Sequence, residues 1–152
     1  MRKLSNKIKK LKTEASTDPL TGLFNRRRLD NILTKEIELS VDTNRDLSII
    51  FLDIDYFKVI NDTYGHDIGD EILIGLSALI TQTTRKNDFV SRWGGEEFMI
   101  TLQSTSIDEA TALAEKLRVK VQEHIFGCAG NITISLGVTS YEDGENRDSF
   151  TK

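Results

Sequence analysis

Two pairs of carboxylates stand where a chain could carry out phosphoryl chemistry. Asp53 and Asp55 close the string Phe51-Leu52-Asp53-Ile54-Asp55-Tyr56-Phe57-Lys58, and Glu96 and Glu97 follow Gly94-Gly95. Facing carboxylates repel unless a cation lies between them. Hard oxygen ligands of this kind suit Mg2+, which keeps several waters and takes further ligands from substrate phosphates. The nearby Lys58 could hold a phosphate as a point charge. Together these are the parts of metal-assisted phosphoryl transfer. Acids at strand ends and turns are usually just solvated, so the case depends on what brings the two pairs together.

Periodicity supplies the elements that must do so. Leu47 to Leu52 is apolar except for Ser48 and predicts a strand in the middle of a sheet. Residues 88–93 and 97–102 predict two strands around Gly94-Gly95, a hairpin turn in which glycine takes positive φ at no steric cost. Residues 68–84 repeat Ile72, Leu73, Leu76, Leu79 and Ile80 at helical period, and 107–125 do so with Ala110, Leu113, Ala114, Leu117 and Val121. Residues 131–139 predict a last strand. A helix over 26–40 carries Leu29, Ile32, Leu33 and Ile37 on one face, with Asn25 as its N-cap. The order is a helix followed by β-α-β-β-α-β. That is the split βαβ of the ferredoxin-like class, an α+β fold whose antiparallel sheet carries helices on one face. In such a sheet the first strand and the hairpin are neighbours, so Asp53 and Glu96 converge. Ahead of the domain, Leu4, Ile8, Leu11 and Ala15 form a heptad seam, predicting a helical stalk over residues 1–16. Thr17-Asp18-Pro19 breaks it, and the domain proper runs from 17 to 152.

Composition narrows the function classes. A chain of 152 residues with 38% hydrophobic and 29% charged residues is expected to be one soluble domain. Residues 1–12 hold six Lys and Arg and no acid, whereas the rest has 14 Lys and Arg against 24 Asp and Glu. An acidic body argues against DNA, whose binding rests on cation–phosphate contacts. Cys128 is the only cysteine and can form no internal disulfide. No apolar run reaches the length of a membrane span. A cytoplasmic domain, or the cytoplasmic part of a larger sensor protein, is expected, with no direct membrane insertion.

Four strings in one register carry a family resemblance. Gly94-Gly95-Glu96-Glu97-Phe98 resembles the signature of the GGDEF family, the diguanylate cyclases, in its GGEEF form. Asp18-Pro19-Leu20-Thr21-Gly22-Leu23-Phe24-Asn25-Arg26-Arg27 is similar to the family's opening motif. Asp53 to Asp62 and Gly65-His66-Asp67-Ile68-Gly69-Asp70 are similar to its nucleotide-binding segments. The resemblance runs from about Asp18 to Tyr141 and implies a fold of the palm or nucleotide-cyclase type.

It also implies a reaction and its residues. Two GTP-loaded domains, a homodimer, would join their nucleotides into cyclic di-GMP and release two pyrophosphates. Asp53 and Glu96 would bind Mg2+ (or Mn2+) through carboxylates and Ile54 through its carbonyl. Asn61 and Asp70 would read the guanine, with His66 beside them. Lys58 and the backbone near Phe57 would hold phosphates, and Gly94 and Gly95 would let them approach. A carboxylate of the Glu96–Glu97 pair would help deprotonate the 3′-hydroxyl, with base and ligand unassigned between them. Arg85 and Asp88, in Arg-x-x-Asp spacing, are similar to the family's product-inhibition site for cyclic di-GMP. Family members continue with a further helix and strand that supply basic residues to the triphosphate, and the sequence ends at Lys152 before them. On that ground the alternative reading is a GTP- or cyclic-di-GMP-binding module impaired in catalysis.

Overall fold

β1 (Leu47–Ile54) divides the molecule into two cores by the alternation of its side chains. Ile50, Leu52 and Ile54 turn to one side, and Leu47, Ile49 and Phe51 to the other. The computed structural model describes residues 2–142. Residue 1 of the expected stalk and the polar segment 143–152 of the expected domain lie outside the described residues, as do the side chains of residues 2, 3 and 12–14. The sheet also contains β2 (Phe89–Arg92), β3 (Glu97–Gln103) and β4 (Ile134–Ser140) in the order β2-β3-β1-β4. Every pairing is antiparallel. This is the α+β sheet that the sequence predicts.

On the first face, α4 (His66–Thr83) packs Ile72, Leu73, Leu76 and Ile80. Beside it α5 (Ile107–Glu123) packs Ala110, Ala114, Leu117 and Val121. A capping box starts α5. The Ser106 hydroxyl accepts from the Glu109 N–H at 3.1 Å, and the Glu109 carboxylate accepts from the Ser106 N–H at 3.2 Å. The second face corrects the expectation of helices on one side only. There α2 (Arg26–Thr43) lays Leu29 and Leu33 on Leu47, Ile49 and Met99. The reason lies in β1 itself, since a strand apolar at successive positions must be covered on both faces. As expected, Asn25 caps α2, accepting the Arg28 N–H at 2.9 Å. The helix runs past residue 40 to Thr43 and ends at Asn44 in a left-handed conformation, φ 53°.

Two more corrections concern the segments beside the site. Residues 57–64, to which periodicity assigns nothing, form α3 (Phe57–Tyr64). Eight residues carry too little pattern to announce a helix. Phe57, 8% exposed, anchors it in the first core, and Gly65 at φ 92° turns the chain directly into α4. The last strand begins at Ile134 rather than 131. Asn131 is engaged in a turn, its amide donating to the carbonyls of Gln122 and His124 at 3.0 and 3.2 Å.

α1 (Arg2–Ser16) precedes Thr17-Asp18-Pro19. Leu4, Ile8 and Leu11 on its seam are exposed. Among the described residues no helix is long and apolar enough to cross a membrane.

If α2 is an integral layer of the fold, Leu29→Ala should lower stability by about 2–5 kcal/mol, the range for an emptied core leucine. Leu29 has 0% of its surface exposed. Urea unfolding of the two proteins measures the difference, and a loss below about 1 kcal/mol would mean that α2 is peripheral.

Candidate active site

The acids meet because the β1–β3 ladder ends on them. Its last paired residues are Asp53 and Glu97, and the Ile54 N–H donates to the Glu96 carbonyl at 3.3 Å. Within the turn, the Trp93 and Gly94 N–H groups both donate to the Glu97 carbonyl, at 2.8 and 3.3 Å. Glu96 is thereby set against Asp53. Burial, the facing Asp53 carboxylate with its hydrogen bond, and Glu97 behind push the Glu96 carboxyl above its ordinary value. Carboxylates crowded in this way fit a divalent cation that neutralises them. Among the described residues no three His, Cys, Asp or Glu side chains gather into a closed metal cage. A cation here would need ligands from backbone and substrate, as Mg2+ commonly takes. Ile54 is buried beneath the acids.

The glycines of this turn work by space rather than by conformation. Neither Gly94 nor Gly95 has a positive φ, contrary to the expectation from sequence. A Cβ on Gly95 would meet nothing within 4 Å, and one on Gly94 would touch the Glu97 carboxyl at 3.4 Å. The backbone at Gly95 is therefore open to a ligand.

Below the turn lies an open cleft of about 540 Å³. Gly95 and Glu96 line one side, with Phe57, Lys58 and Asn61 from α3 and His66 and Asp70 from α4 on the other. His66 and Asp70 are four residues apart and share a helix face. The cleft thus gathers Phe57, Lys58, Asn61, His66, Asp70 and Gly95 of the residues expected to bind substrate, but not Gly94, while Asp53 and Glu97 line a separate depression. Asp55, at the same strand end, is engaged elsewhere. Its carboxylate accepts from Thr133 Oγ1 at 2.7 Å and Ser135 Oγ at 2.6 Å. Composition alone could not separate Asp53 from Asp55, because only the tertiary partners differ.

Among the lining residues that the sequence reading did not assign to the site, Arg92 makes the contacts that matter most. It bridges two segments. Its Nη1 donates to both Asp18 carboxylate oxygens at 3.2 Å, and its Nη2 donates to the Gly95 carbonyl at 2.7 Å. Burial alone would raise the Asp18 carboxyl. The Thr21 hydroxyl and N–H, together with the Arg92 guanidinium, outweigh burial and hold it below the usual carboxylate range. The turn after α1 is thus tied to the turn that carries Glu96. An arginine two positions before a Gly-Gly turn, with an acid at a helix exit, is a faint signal without the fold.

Arg85 and Asp88 lie away from the cleft, between α4 and β2. The Arg85 N–H donates to Asp88 Oδ2 at 2.8 Å, and its guanidinium donates to Thr105 Oγ1 at 2.6 Å. The Arg85 side chain is 61% exposed and that of Asp88 1%. A second depression, about 550 Å³ and mainly apolar, lies beside α2, where Arg26 stacks on Trp93 at 4.6 Å. None of Lys58, Asn61, His66 or Asp70 lines it.

The sequence matches the family described as "Diguanylate cyclase, GGDEF domain" over residues 15–152. It is 39% identical over 142 residues to diguanylate cyclase DgcM of Escherichia coli, covering 93% of this chain and 35% of that protein. Against the response regulator PleD of Caulobacter vibrioides it is 37% identical over 144 residues, covering 91% and 32%. The chain spans about a third of the length of these curated relatives. The backbone resembles the coiled coil and GGDEF domain of DgcB from Caulobacter crescentus, solved in complex with c-di-GMP. The TM-score is 0.93 at 26% identity, over 99% of this chain and 82% of that one. It also resembles the active GGEEF domain of a diguanylate cyclase from Vibrio cholerae, with TM-score 0.77 and 38% identity over 80% of this chain and 79% of that one.

The raised Glu96 carboxyl has a consequence for stability. An acid whose folded value lies above its unfolded one destabilises the fold once ionised. The penalty is absent below the unfolded value and complete above the raised folded one. Without nucleotide or metal, Glu96→Gln should therefore melt above the parent at neutral pH, and the gap should close as pH falls below the ordinary glutamate range. Scanning calorimetry across pH measures it; equal melting points at neutral pH would mean that the acids do not repel.

Proposed function

The chain belongs to the GGDEF family of diguanylate cyclase domains, and on that premise we propose that it condenses two molecules of GTP into cyclic di-GMP and two pyrophosphates. The observation that carries this reading is the convergence of Lys58, Asn61, Asp70 and Glu96 around one cleft, with the Asp53 carboxylate set against Glu96. The guanine lies between α3 and α4. Asp70 accepts from the N–H groups on its edge, a pattern adenine does not present, and the Asn61 amide supplies an N–H donor, its Oδ1 being buried against Gly69. His66, at the start of α4, borders the base. Lys58 and the first N–H groups of α3 near Phe57 meet the phosphates. Gly95 and Gly94 leave room for them against the backbone.

Asp53 and Glu96, with the Ile54 carbonyl, would hold Mg2+ (or Mn2+), which would supply neutralisation of phosphate charge there. A carboxylate of the Glu96–Glu97 pair takes the proton of a ribose 3′-hydroxyl. The freed oxygen bonds to the α-phosphorus of the second nucleotide as that phosphorus releases pyrophosphate. The same exchange in the opposite sense closes the ring, so two bonds form and two break.

One cleft serves one GTP, and the product joins two. Two copies of the domain must therefore face each other during turnover, and activity should rise more steeply than linearly with protein concentration. The exposed Leu4, Ile8 and Leu11 stripe of α1 offers a seam for that pairing. The basic residues of the stalk oppose it at low salt. Arg85 and Asp88 serve as a separate site for cyclic di-GMP. The exposed guanidinium of Arg85 is suited to phosphate contact and to stacking on guanine.

Incubation with GTP and Mg2+ followed by mass analysis should show cyclic di-GMP, and Glu97→Gln or Glu96→Gln should lower its formation by about 100-fold or more. A variant that keeps most of its turnover removes that residue from the mechanism. Absence of the cyclic product from the parent protein, with GTP still bound, would refute the cyclase reading. Calorimetry should show Arg85→Ala binding cyclic di-GMP about tenfold more weakly, or worse; equal affinities would remove Arg85 from the product site.

A further inference from the structure

A glycine at the fourth position of a helix needs a reason. Gly69 lies inside α4, is buried, and is not at a positive φ. Alanine there would favour the helix. What forbids it is space. A Cβ built on Gly69 would lie 1.8 Å from Asn61 Oδ1 and 3.0 Å from Asn61 Cγ, with Phe57 Cζ at 3.3 Å. The Asn61 amide thus occupies the place where a side chain on α4 would be. In that notch its Oδ1 is buried and has no hydrogen-bond partner. An unpartnered buried acceptor is costly, so this placement does not serve the stability of the ligand-free fold. α3 and α4 are joined by the single residue Gly65, whose N–H donates to the Asn61 carbonyl at 2.8 Å. The backbone of Asn61 is therefore fixed, and its side chain is the part that must yield to any bulk at position 69.

We infer that Gly69 is a positioning residue of the cleft: its missing side chain is the notch that seats the Asn61 amide for reading the nucleotide base. The inference rests on the reading of Asn61 as a base contact. It assigns to Gly69 no contact with the nucleotide, only control of where the Asn61 amide sits. Because the group displaced is the far end of a side chain, Gly69→Ala costs base recognition rather than folding.

The test is a double-variant cycle on the full chain with Gly69→Ala, Asn61→Ala and both together. Thermal melts are run alongside, and binding is read by calorimetry with 3′-deoxy-GTP and Mg2+. This nucleotide lacks the attacking hydroxyl and cannot be consumed. Gly69→Ala should weaken binding about tenfold, the scale of one lost polar contact. In the Asn61→Ala background, where no amide remains to displace, the same change should do nothing further. With GTP, the loss should fall mainly on KM and less on kcat. If Asn61→Ala binds as tightly as the parent, the base-contact reading falls and this inference with it. If Asn61→Ala weakens binding while Gly69→Ala does not, only the role of Gly69 falls. Melting temperature should change little on Gly69→Ala, and any small drop should vanish in the Asn61→Ala background. A drop equal in both backgrounds would place the obstacle at Phe57 and overturn the assignment.

Discussion

The ladder between β1 and β3 is the constraint on which the site depends. It runs from Leu47 opposite Gln103 to Asp53 opposite Glu97, and the Ile54 N–H to Glu96 carbonyl bond closes its end. Side chains alternate across a strand, so a slip of one residue would turn Asp53 to the opposite face. It would also turn Ile50, Leu52 and Ile54 out of their core. Hydrophobic burial along the strand therefore sets the register that the acids at its end require. The repulsion between Asp53 and Glu96 is sustained by apolar contacts well away from it.

Two further devices hold the cleft in shape. Arg92 joins Asp18, at the exit of α1, to the Gly95 carbonyl, so the first turn of the domain and the turn bearing Glu96 move as one. Across the cleft, α3 and α4 approach closely enough at Gly69 to enclose the Asn61 amide. The crowded Glu96 carboxyl and the orphaned Asn61 oxygen are both costs of the unliganded state. Costs of this kind gather where a ligand, rather than the fold, completes the interactions.

The regions on either side of the cleft are built differently. α1 presents Leu4, Ile8 and Leu11 to solvent, an apolar stripe that nothing else among the described residues covers. Its connection to the domain passes through Asp18 and Arg92, which lines the cleft. Arg85 and Asp88 sit beyond the far end of β2 from the Gly-Gly turn, paired with each other and with Thr105. Four residues of strand separate them from the acids, so a ligand could occupy one place without touching the other.

Local pattern was enough for much of this. The apolar run of β1, the helical periods of α2, α4 and α5, the Asn25 cap and the break at Thr17-Asp18-Pro19 all depend on neighbours in sequence, and they were legible. So were the acids of the hairpin, because their spacing from Gly94-Gly95 is covalent. Other features needed distant partners. What holds the Asp55 carboxylate is Thr133 and Ser135, some eighty residues away. α2 covers the second face because sheet formation leaves Leu47, Ile49 and Met99 bare there. α3 exists by virtue of Phe57 entering the core, not of any periodicity its eight residues could display. The spacing of residues along the chain determined which groups this protein has for chemistry; packing between segments far apart decided which of them meet, since a side chain's direction is set by the surface it must bury.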